Sequence, residues 1–186
     1  LELGGENTDL GKYEALELLK FQKYSPFLEK DYESIIVIST SKKIKKNIIA
    51  RLSMTKRISR IIFTSTKENI IDILNDLEEI KIDDLNFAIR QIGGKNLESE
   101  KTAILIGEKI SKENETNLEA PQVTVLFYQN IEFFISLKYA ERDTGYKKCL
   151  KHHISHRPYF SPIGIHPRIA RAMINLSNCA SNKPLI

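Results

Sequence analysis

Short apolar runs alternate along this chain with segments whose apolar residues recur at helical spacing. The continuous β-branched run at 35–38 predicts a buried strand over 34–40. Strands are also predicted at 1–3, 58–64, 85–92, 123–128 and 131–139, and the short Gln129-Asn130 turn makes the last two a hairpin.

Helices are predicted at 8–21, 42–52, 97–111 and 167–178, with Thr8 as a cap of the first and Pro167 at the start of the last. A further helix is expected to open on a capping box at 65–68. Strands alternating with helices, followed by a hairpin, predict an α/β (α+β) chain with mixed sheets. The pattern predicts that the chain divides into two parts near Lys81.

Composition narrows the class of protein. The 186 residues are 41% hydrophobic and 28% charged, which is typical of a globular chain of one average domain or two small ones. No apolar run is long enough to cross a bilayer, so no membrane partner is expected. Two lone cysteines, Cys149 and Cys179, make no disulfide framework, which favours a cytoplasmic location.

The net charge of +4 is unevenly distributed. Residues 40–60 contain eight cations and no acid, and residues 138–171 contain eight cations against Glu141 and Asp143. The remainder of the chain is therefore acidic. Such segregation is typical of a protein that binds a polyanion, although charge alone is equally compatible with solvated, lysine-rich surfaces.

Four segments, in order, resemble the THUMP domain, an RNA-binding module of tRNA-modifying enzymes. They are NFAIRQIG at 86–93, EKTAILIGEKI at 100–110, VTVLFY at 123–128 and FFISLKYAERDTGY at 133–146. The opening LELGGEN at 1–7 resembles the first strand and turn of the ferredoxin-like domain that precedes THUMP in archaeal guanosine-10 methyltransferases.

Residues 157–177, RPYFSPIGIHPRIARAMINLS, resemble the segment that leads into the catalytic domain of THUMP-containing tRNA guanine-N2 methyltransferases. The resemblance implies a ferredoxin-like domain at 1–80, a THUMP domain at 81–148, a basic linker at 149–165 and the start of a Rossmann-like methyltransferase domain at 166–186. The family's D-P-F-C-G-T-G and N-P-P-Y motifs have no match before Ile186. We therefore expect an RNA-binding part of such an enzyme, without catalytic residues, whose S-adenosylmethionine is bound by the full-length parent.

The resemblance implies that tRNA is the partner and that its acceptor stem and 3′ end are held here. Cations would contact phosphates while tyrosines stack on unpaired bases. The candidate RNA-binding residues are Arg90, Lys95, Lys138, Arg142, Lys147, Lys148 and Arg157. Phe160, Ser161 and Pro162 either line the methionine end of S-adenosylmethionine or form a rigid spacer.

Two other functions stay open. The same RNA module could serve 4-thiouridine or pseudouridine formation, or the chain could be a stand-alone α/β interaction protein. The second possibility draws on the apolar stripe of the 167–178 helix, formed by Ile169, Ala172, Met173 and Leu176, which could pack within the molecule or on another chain. Only Cys149 stands at ligand spacing beside His152, His153, His156 and His166, so no metal site is predicted.

Overall fold

The computed structural model describes residues 1–4, 7–82, 85–93, 99–110, 114–142 and 165–177. They form two compact units, the first made of Leu1–Ile58 and Ala140–Ile186 and the second of Ser59–Tyr139. The strands are β1 (Glu2–Leu3), β2 (Phe27–Tyr32), β3 (Ile35–Ser39), β4 (Thr55–Ser65), β5 (Phe87–Gln91), β6 (Val123–Gln129) and β7 (Phe133–Glu141). The helices are α1 (Thr8–Phe21), α2 (Ile48–Arg51), α3 (Ile70–Asp76), α4 (Ser99–Gly107) and α5 (Pro167–Leu176).

The mixed α/β class is confirmed. In the first unit the strand order is β2-β3-β1-β4, and its neighbouring strands pair antiparallel. In the second unit the order is β4-β7-β6-β5, where β6 pairs antiparallel with β7 and parallel with β5. A parallel pair needs a crossover connection, and α4 lies in the chain segment between β5 and β6.

The second unit has its own apolar core. Helices α3 and α4 contribute Ile73, Leu74 and Ile106 to it, and the strands contribute alternate side chains such as Val125 and Ile135. These side chains are at most 5% exposed. Apolar side chains that recur at helical spacing in α3 and α4 therefore pack against side chains that alternate along the strands, and together they form one hydrophobic cluster. Ile106 and Ile110 are both buried and belong to this core.

Strand β2 has no counterpart in the predictions. Its sequence, FLEKDY, is largely exposed and shows no apolar face. Backbone pairing with β3, from Phe27 opposite Ser39 to Tyr32 opposite Ile35, holds it at one end of the strand order. An edge strand stabilised by main-chain hydrogen bonds need not carry the hydrophobic pattern that a sequence search detects.

The helix predicted over 42–52 is wrong for most of its length, because only Ile48–Arg51 is helical. A helix would place lysines at 42, 43, 45 and 46 three and four residues apart on one surface, where like charges repel. The capping box at 65–68 is also wrong. Ser65 still belongs to β4, and α3 begins at Ile70 with the Asn69 side chain accepting from the Ile71 amide at 3.0 Å.

The first predicted helix is confirmed as α1, although its N-cap is Asn7 rather than Thr8. Gly11 lets this helix approach the start of β4 closely, since an added Cβ would lie 3.1 Å from Cβ of Met54. The helix buries Ala15, Leu18 and Leu19 against the strands of the first unit. None of the helices among the described residues has the length and apolarity needed to cross a membrane.

A buried carboxylate joins α1 to α5. Glu14 is completely buried, and its Oε1 accepts from the Ser53 amide at 2.8 Å, the Ser53 hydroxyl at 2.7 Å and Nδ2 of Asn175 at 2.7 Å. Its Oε2 accepts from the Met54 amide at 2.8 Å. Four donors on one carboxylate therefore fix α1, α5 and the turn before β4 to one another.

The buried face of α5 differs from the predicted apolar stripe. Ala172 and Asn175 are buried, while Ile169 and Met173 are 38% and 51% exposed. Arg168 donates to the carbonyls of Ser53 at 3.2 Å and Gly4 at 2.9 Å. The helix is therefore held within the first unit by polar contacts as well as by the buried Ala172, and part of its apolar stripe remains at the surface.

Changing Glu14 to Gln is expected to lower the free energy of unfolding by about 2–3 kcal/mol, because one amide orientation or the other turns an NH2 group toward a buried donor. Urea unfolding followed by circular dichroism measures the change. Glu17→Gln is the matched control, since Glu17 lies on the same helix at the surface and pairs with Lys20. Equal unfolding midpoints for the two variants would show that the buried carboxylate is not a principal support of this unit.

A substitution at Thr55 is expected to change the free energy of unfolding in the opposite direction. The Thr55 side chain is completely buried, and its hydroxyl has no hydrogen-bond partner among the residues that the structure describes. Thr55→Val should therefore raise the free energy of unfolding by about 1 kcal/mol, because it removes a desolvated polar atom and keeps the branched shape. Thr64→Val, at an exposed position of the same strand, should stay within about 0.5 kcal/mol of the parent. A loss of stability in Thr55→Val would contradict this account.

Candidate nucleic-acid interface

The basic segment at 40–60 contains four exposed lysines close together in the chain, and two further cations in ion pairs at the start of β4. Lys42, Lys43, Lys45 and Lys46 are all exposed in the segment between β3 and α2. We call residues 41–46 the lysine loop. The loop follows directly from a buried strand and leads into the buried Ile48 and Ile49, so both of its ends are anchored in the first unit.

Lys56 and Arg57 are paired with acids at the start of β4. The Arg57 guanidinium donates through Nε to Glu141 at 2.7 Å and through Nη1 to Glu2 at 3.0 Å. Lys56 Nζ donates to the same Glu2 at 3.0 Å. The side chains of Arg57 and Glu2 are each only 13% exposed, so this network neutralises charge and binds β1, β4 and the end of β7 together.

Arg90 lies on β5, where its side chain is exposed. Its Nη2 donates to the carbonyl of Leu118 at 3.2 Å. The segment containing Leu118 runs alongside β5. The amide of Phe87 donates to the carbonyl of Glu115, and the amide of Asn117 donates to the carbonyl of Phe87. Arg90 therefore stabilises the segment that covers the outer edge of β5. It also places a cation at the surface.

A glycine lies just after the end of β5, the strand that carries Arg90. Gly93 has a φ of 78°, the left-handed region that a residue without a Cβ enters easily. The chain therefore turns at Gly93, shortly after the end of β5. Lys95, predicted to contact RNA beyond this turn, lies outside the described residues.

Lys138 and Arg142 belong to different units. Lys138 lies in β7 within the second unit and is half-buried. Arg142 follows the end of β7 in the first unit, where its amide donates to the Lys56 carbonyl at 2.9 Å. The remaining candidates for RNA or cofactor binding lie outside the described residues; they are Lys147, Lys148, Arg157, Phe160, Ser161 and Pro162.

Of the four histidines, His166 falls within the described part of the chain. Its Nδ1 accepts from the Arg168 amide at 3.3 Å, so the side chain caps the first turn of α5, and Pro167 follows at the first helical position. No group of three metal-ligating side chains comes together among the described residues. A capping role therefore accounts for His166 without a metal ion.

The second unit also contains an apolar pocket of about 540 Å³ between β5, α4 and the segment at 114–118. Phe87, Ile89, Ala103, Ile104 and Leu118 line it, with Glu108 among its few polar residues. None of the predicted RNA-binding residues within the described ranges lines this pocket. The site predicted from the sequence is thus a surface of cations rather than a cavity.

Sequence reasoning did not find Glu14, Asn175 and Tyr24. The burial of Glu14 could have been predicted from the sequence, because this acid lies on the same helical face as Gly11, Ala15 and Leu18 of α1. An acid within an apolar face indicates a buried hydrogen-bond acceptor. Asn175 and Tyr24 had no local signal, since their contacts are made by residues distant along the chain.

Comparison with solved structures finds a similar fold in several chains, including the following two. TrmN from Thermus thermophilus matches with a TM-score of 0.62 and 16% identity over 92% of this chain and 52% of its own. PH1313 from Pyrococcus horikoshii Ot3 matches with a TM-score of 0.52 and 13% identity over 73% of this chain and 52% of its own. The chain thus spans about half the length of each. No family model and no curated protein matches this sequence.

The pairing of Arg57 predicts that this cation supports the fold. Arg57→Gln should lower the free energy of unfolding by about 1–2 kcal/mol, because Glu141 and the largely buried Glu2 both lose their hydrogen bonds with the guanidinium group. Arg60→Gln is the control, since Arg60 lies exposed on the same strand. Chemical unfolding compares the two variants. If Arg60→Gln is the more destabilising, the paired network is not what stabilises β4.

Proposed function

We propose that this chain is the tRNA-binding portion of a tRNA-modifying enzyme and holds the acceptor end of the tRNA. The observation that carries the proposal is the likeness to TrmN over 92% of the chain, together with the four THUMP-like segments in their expected order. PH1313 shares the fold over 73% of the chain, which adds a second structural likeness. In this proposal 1–80 is a ferredoxin-like domain, 81–148 a THUMP domain and 149–165 a basic linker.

The chemistry we propose for the parent enzyme is S-adenosylmethionine-dependent methylation of a guanine N2 amine in the tRNA body. The support is the segment HPRIARAMINL at 166–176, which forms α5 with His166 as its cap. The sequence has no match to the D-P-F-C-G-T-G motif with which the family cradles this cofactor, nor to its N-P-P-Y motif. The residues of this chain therefore do not fit the cofactor by themselves.

Placement of RNA is the task that the described cations suit. Arg90 presents an exposed guanidinium on β5, and a planar guanidinium binds phosphate oxygens in pairs. Lys138 and Arg142 stand at the end of β7 and just beyond it. We include Lys95, Lys147, Lys148 and Arg157 in the RNA surface, and Phe160, Ser161 and Pro162 as cofactor-facing residues of the parent, on the family resemblance alone. Contacts of this kind position a nucleic acid without reading its sequence.

One observation favours a second candidate, a stand-alone protein that associates through α5. Ile165, Ile169, Met173 and Ile174 of this region are 38–54% exposed. Contiguous exposed apolar side chains are typical of a surface that another element covers. This candidate predicts concentration-dependent association and no salt-sensitive affinity for tRNA.

Binding of this chain to a tRNA transcript, with and without the unpaired 3′ nucleotides, tests the proposal. Affinity should fall by at least about fivefold when the 3′ end is removed, because stacking on an unpaired base contributes about 1–3 kcal/mol. The slope of log K against log salt should be negative, with about 0.9 per phosphate contacted. Arg90→Gln should weaken binding, and Arg171→Gln, at an exposed site on α5, is the matched control.

Equal and feeble binding to both transcripts would contradict the proposed function. Because Arg90 also contacts Leu118, its variant is compared with the parent by urea unfolding before its affinity is interpreted. A stable Arg90→Gln protein that binds as well as the Arg171→Gln control would remove Arg90 from the RNA surface. Self-association that rises with protein concentration, in the absence of tRNA affinity, would favour the second candidate.

A further inference from the structure

Tyr24 occupies an unusual turn between α1 and β2. The residues on either side of it, Lys23 and Ser25, have φ values of 58° and 47°, which few residues other than glycine adopt. The Tyr24 amide donates back to the Leu19 carbonyl at 3.0 Å, and its side chain is only 3% exposed. The turn therefore directs a large aromatic side chain into the first unit.

Three different groups of Tyr24 contact the lysine loop. Its carbonyl accepts from the amide of Ser41 at 2.9 Å and from the Ser41 hydroxyl at 3.0 Å. Its hydroxyl accepts from the Lys45 amide at 3.2 Å. The ammonium group of Lys42 lies 4.8 Å from the centre of its ring, within the range of a cation–π interaction. One buried residue thus fixes the loop at its beginning, at its first lysine and near its end.

The loop presents its charges on a defined backbone. The Thr40 hydroxyl donates to the Lys42 carbonyl at 2.9 Å, which adds a contact at the base of the loop. All four lysines are exposed, and residues 40–60 contain no acid. Glu2 and Glu141, the acids paired at the start of β4, already bind Lys56 and Arg57. The loop is therefore a concentrated positive surface whose backbone is ordered before any partner arrives.

A surface of this composition suits phosphate better than protein. Protein interfaces are built on an apolar or aromatic centre, and lysine is depleted there. The one apolar residue within the loop, Ile44, is half-buried rather than presented to solvent. Lysine ammonium groups act as compact point charges on phosphates, and such contacts need no apolar neighbours.

We propose that the lysine loop contacts successive phosphates of an RNA backbone and that Tyr24 is the residue that positions it. The identification of RNA as the polyanion rests on the proposed function. The loop would add a second RNA contact, within the first unit, beyond the THUMP-like segments at 81–148. A loop held in its binding conformation loses less conformational entropy on association than a mobile lysine run, which increases affinity.

The first test removes the two lysines that Tyr24 contacts, in the variant Lys42→Gln/Lys45→Gln. Lys20→Gln/Lys30→Gln is the matched control, because both of its lysines are exposed in the same unit and the net charge falls by the same amount. Binding to a short blunt RNA duplex, to a single-stranded RNA of equal length and to the tRNA transcript is measured across a salt series. The duplex and single-strand arms distinguish the two sources of phosphate backbone.

The loop variant should bind the preferred RNA about tenfold more weakly near 0.1 M salt, with the slope of log K against log salt reduced by about 1.8 for a duplex or 1.4 for a single strand. The control should change affinity less than about twofold, because net charge beyond a Debye length is largely screened. Equal losses in the two variants, or no loss in either, would overturn the proposal.

The second test is Tyr24→Phe, which keeps the ring beside Lys42 and removes only the hydroxyl that accepts from the Lys45 amide. Hydrogen exchange at the Lys45 amide should become about tenfold faster, since its acceptor is lost. RNA affinity should fall about two- to fivefold while the salt slope stays that of the parent, because no charge has been removed. Unchanged affinity together with faster exchange at Lys45 would show that the loop binds RNA without being positioned by Tyr24.

The failures of the two proposals are distinguishable. If the parent chain binds none of the three RNAs in a salt-sensitive way, the proposed function fails and the lysine loop loses its partner. If the parent binds the tRNA transcript with dependence on its 3′ end, while the loop variant binds equally well, the inference about the lysine loop alone is overturned.

Discussion

The Glu14 carboxylate is the interaction on which the first unit depends. It lies at 0% exposure and receives hydrogen bonds from two backbone amides, a hydroxyl and the amide of Asn175. A buried carboxylate is tolerated only when its lone pairs are satisfied, so the turn at 53–54 and the position of α5 are both constrained by it. The approach of Gly11 to Met54 brings α1 close enough for these bonds to form.

This constraint also explains how a helix distant in sequence belongs to the first unit. Asn175 donates to Glu14 and to the Arg51 carbonyl at 3.0 Å, while Arg168 reaches the carbonyls of Ser53 and Gly4. These polar contacts orient α5 so that Ala172 is buried and Met173 is exposed. A helix docked by directional hydrogen bonds presents whichever face remains, including apolar side chains that hydrophobic burial alone would have turned inward.

The cations of the first unit form two groups that differ in their neighbouring side chains. Where acids from distant strands come within reach, as Glu2 and Glu141 do at Arg57, a cation becomes part of the framework. Where the neighbour is Tyr24, as at Lys42 and at the Lys45 amide, the charge stays at the surface. Both groups lie within the basic segment at 40–60, yet they suit different roles.

The sequence by itself determined the α/β class, the strands formed by short apolar runs and the helices whose apolar residues recur at helical spacing. These features follow from local periodicity, which the chain carries within each segment. It also determined where cations concentrate, since charge is a property of composition. The helix at 167–176 could be anticipated from His166-Pro167 and its periodicity, because caps and first-turn prolines act locally.

Only the tertiary structure decided which side chains meet. The exposed β2 is held by its pairing with β3, the lysine segment by Tyr24 rather than by a helix, and Glu14 by donors that lie 39 to 161 residues away along the chain. The same is true of Arg57, whose partners are 55 and 84 residues distant. Long-range hydrogen bonds and ion pairs leave no period in a sequence, because they depend on how complete elements pack, and packing is fixed only when the chain has folded.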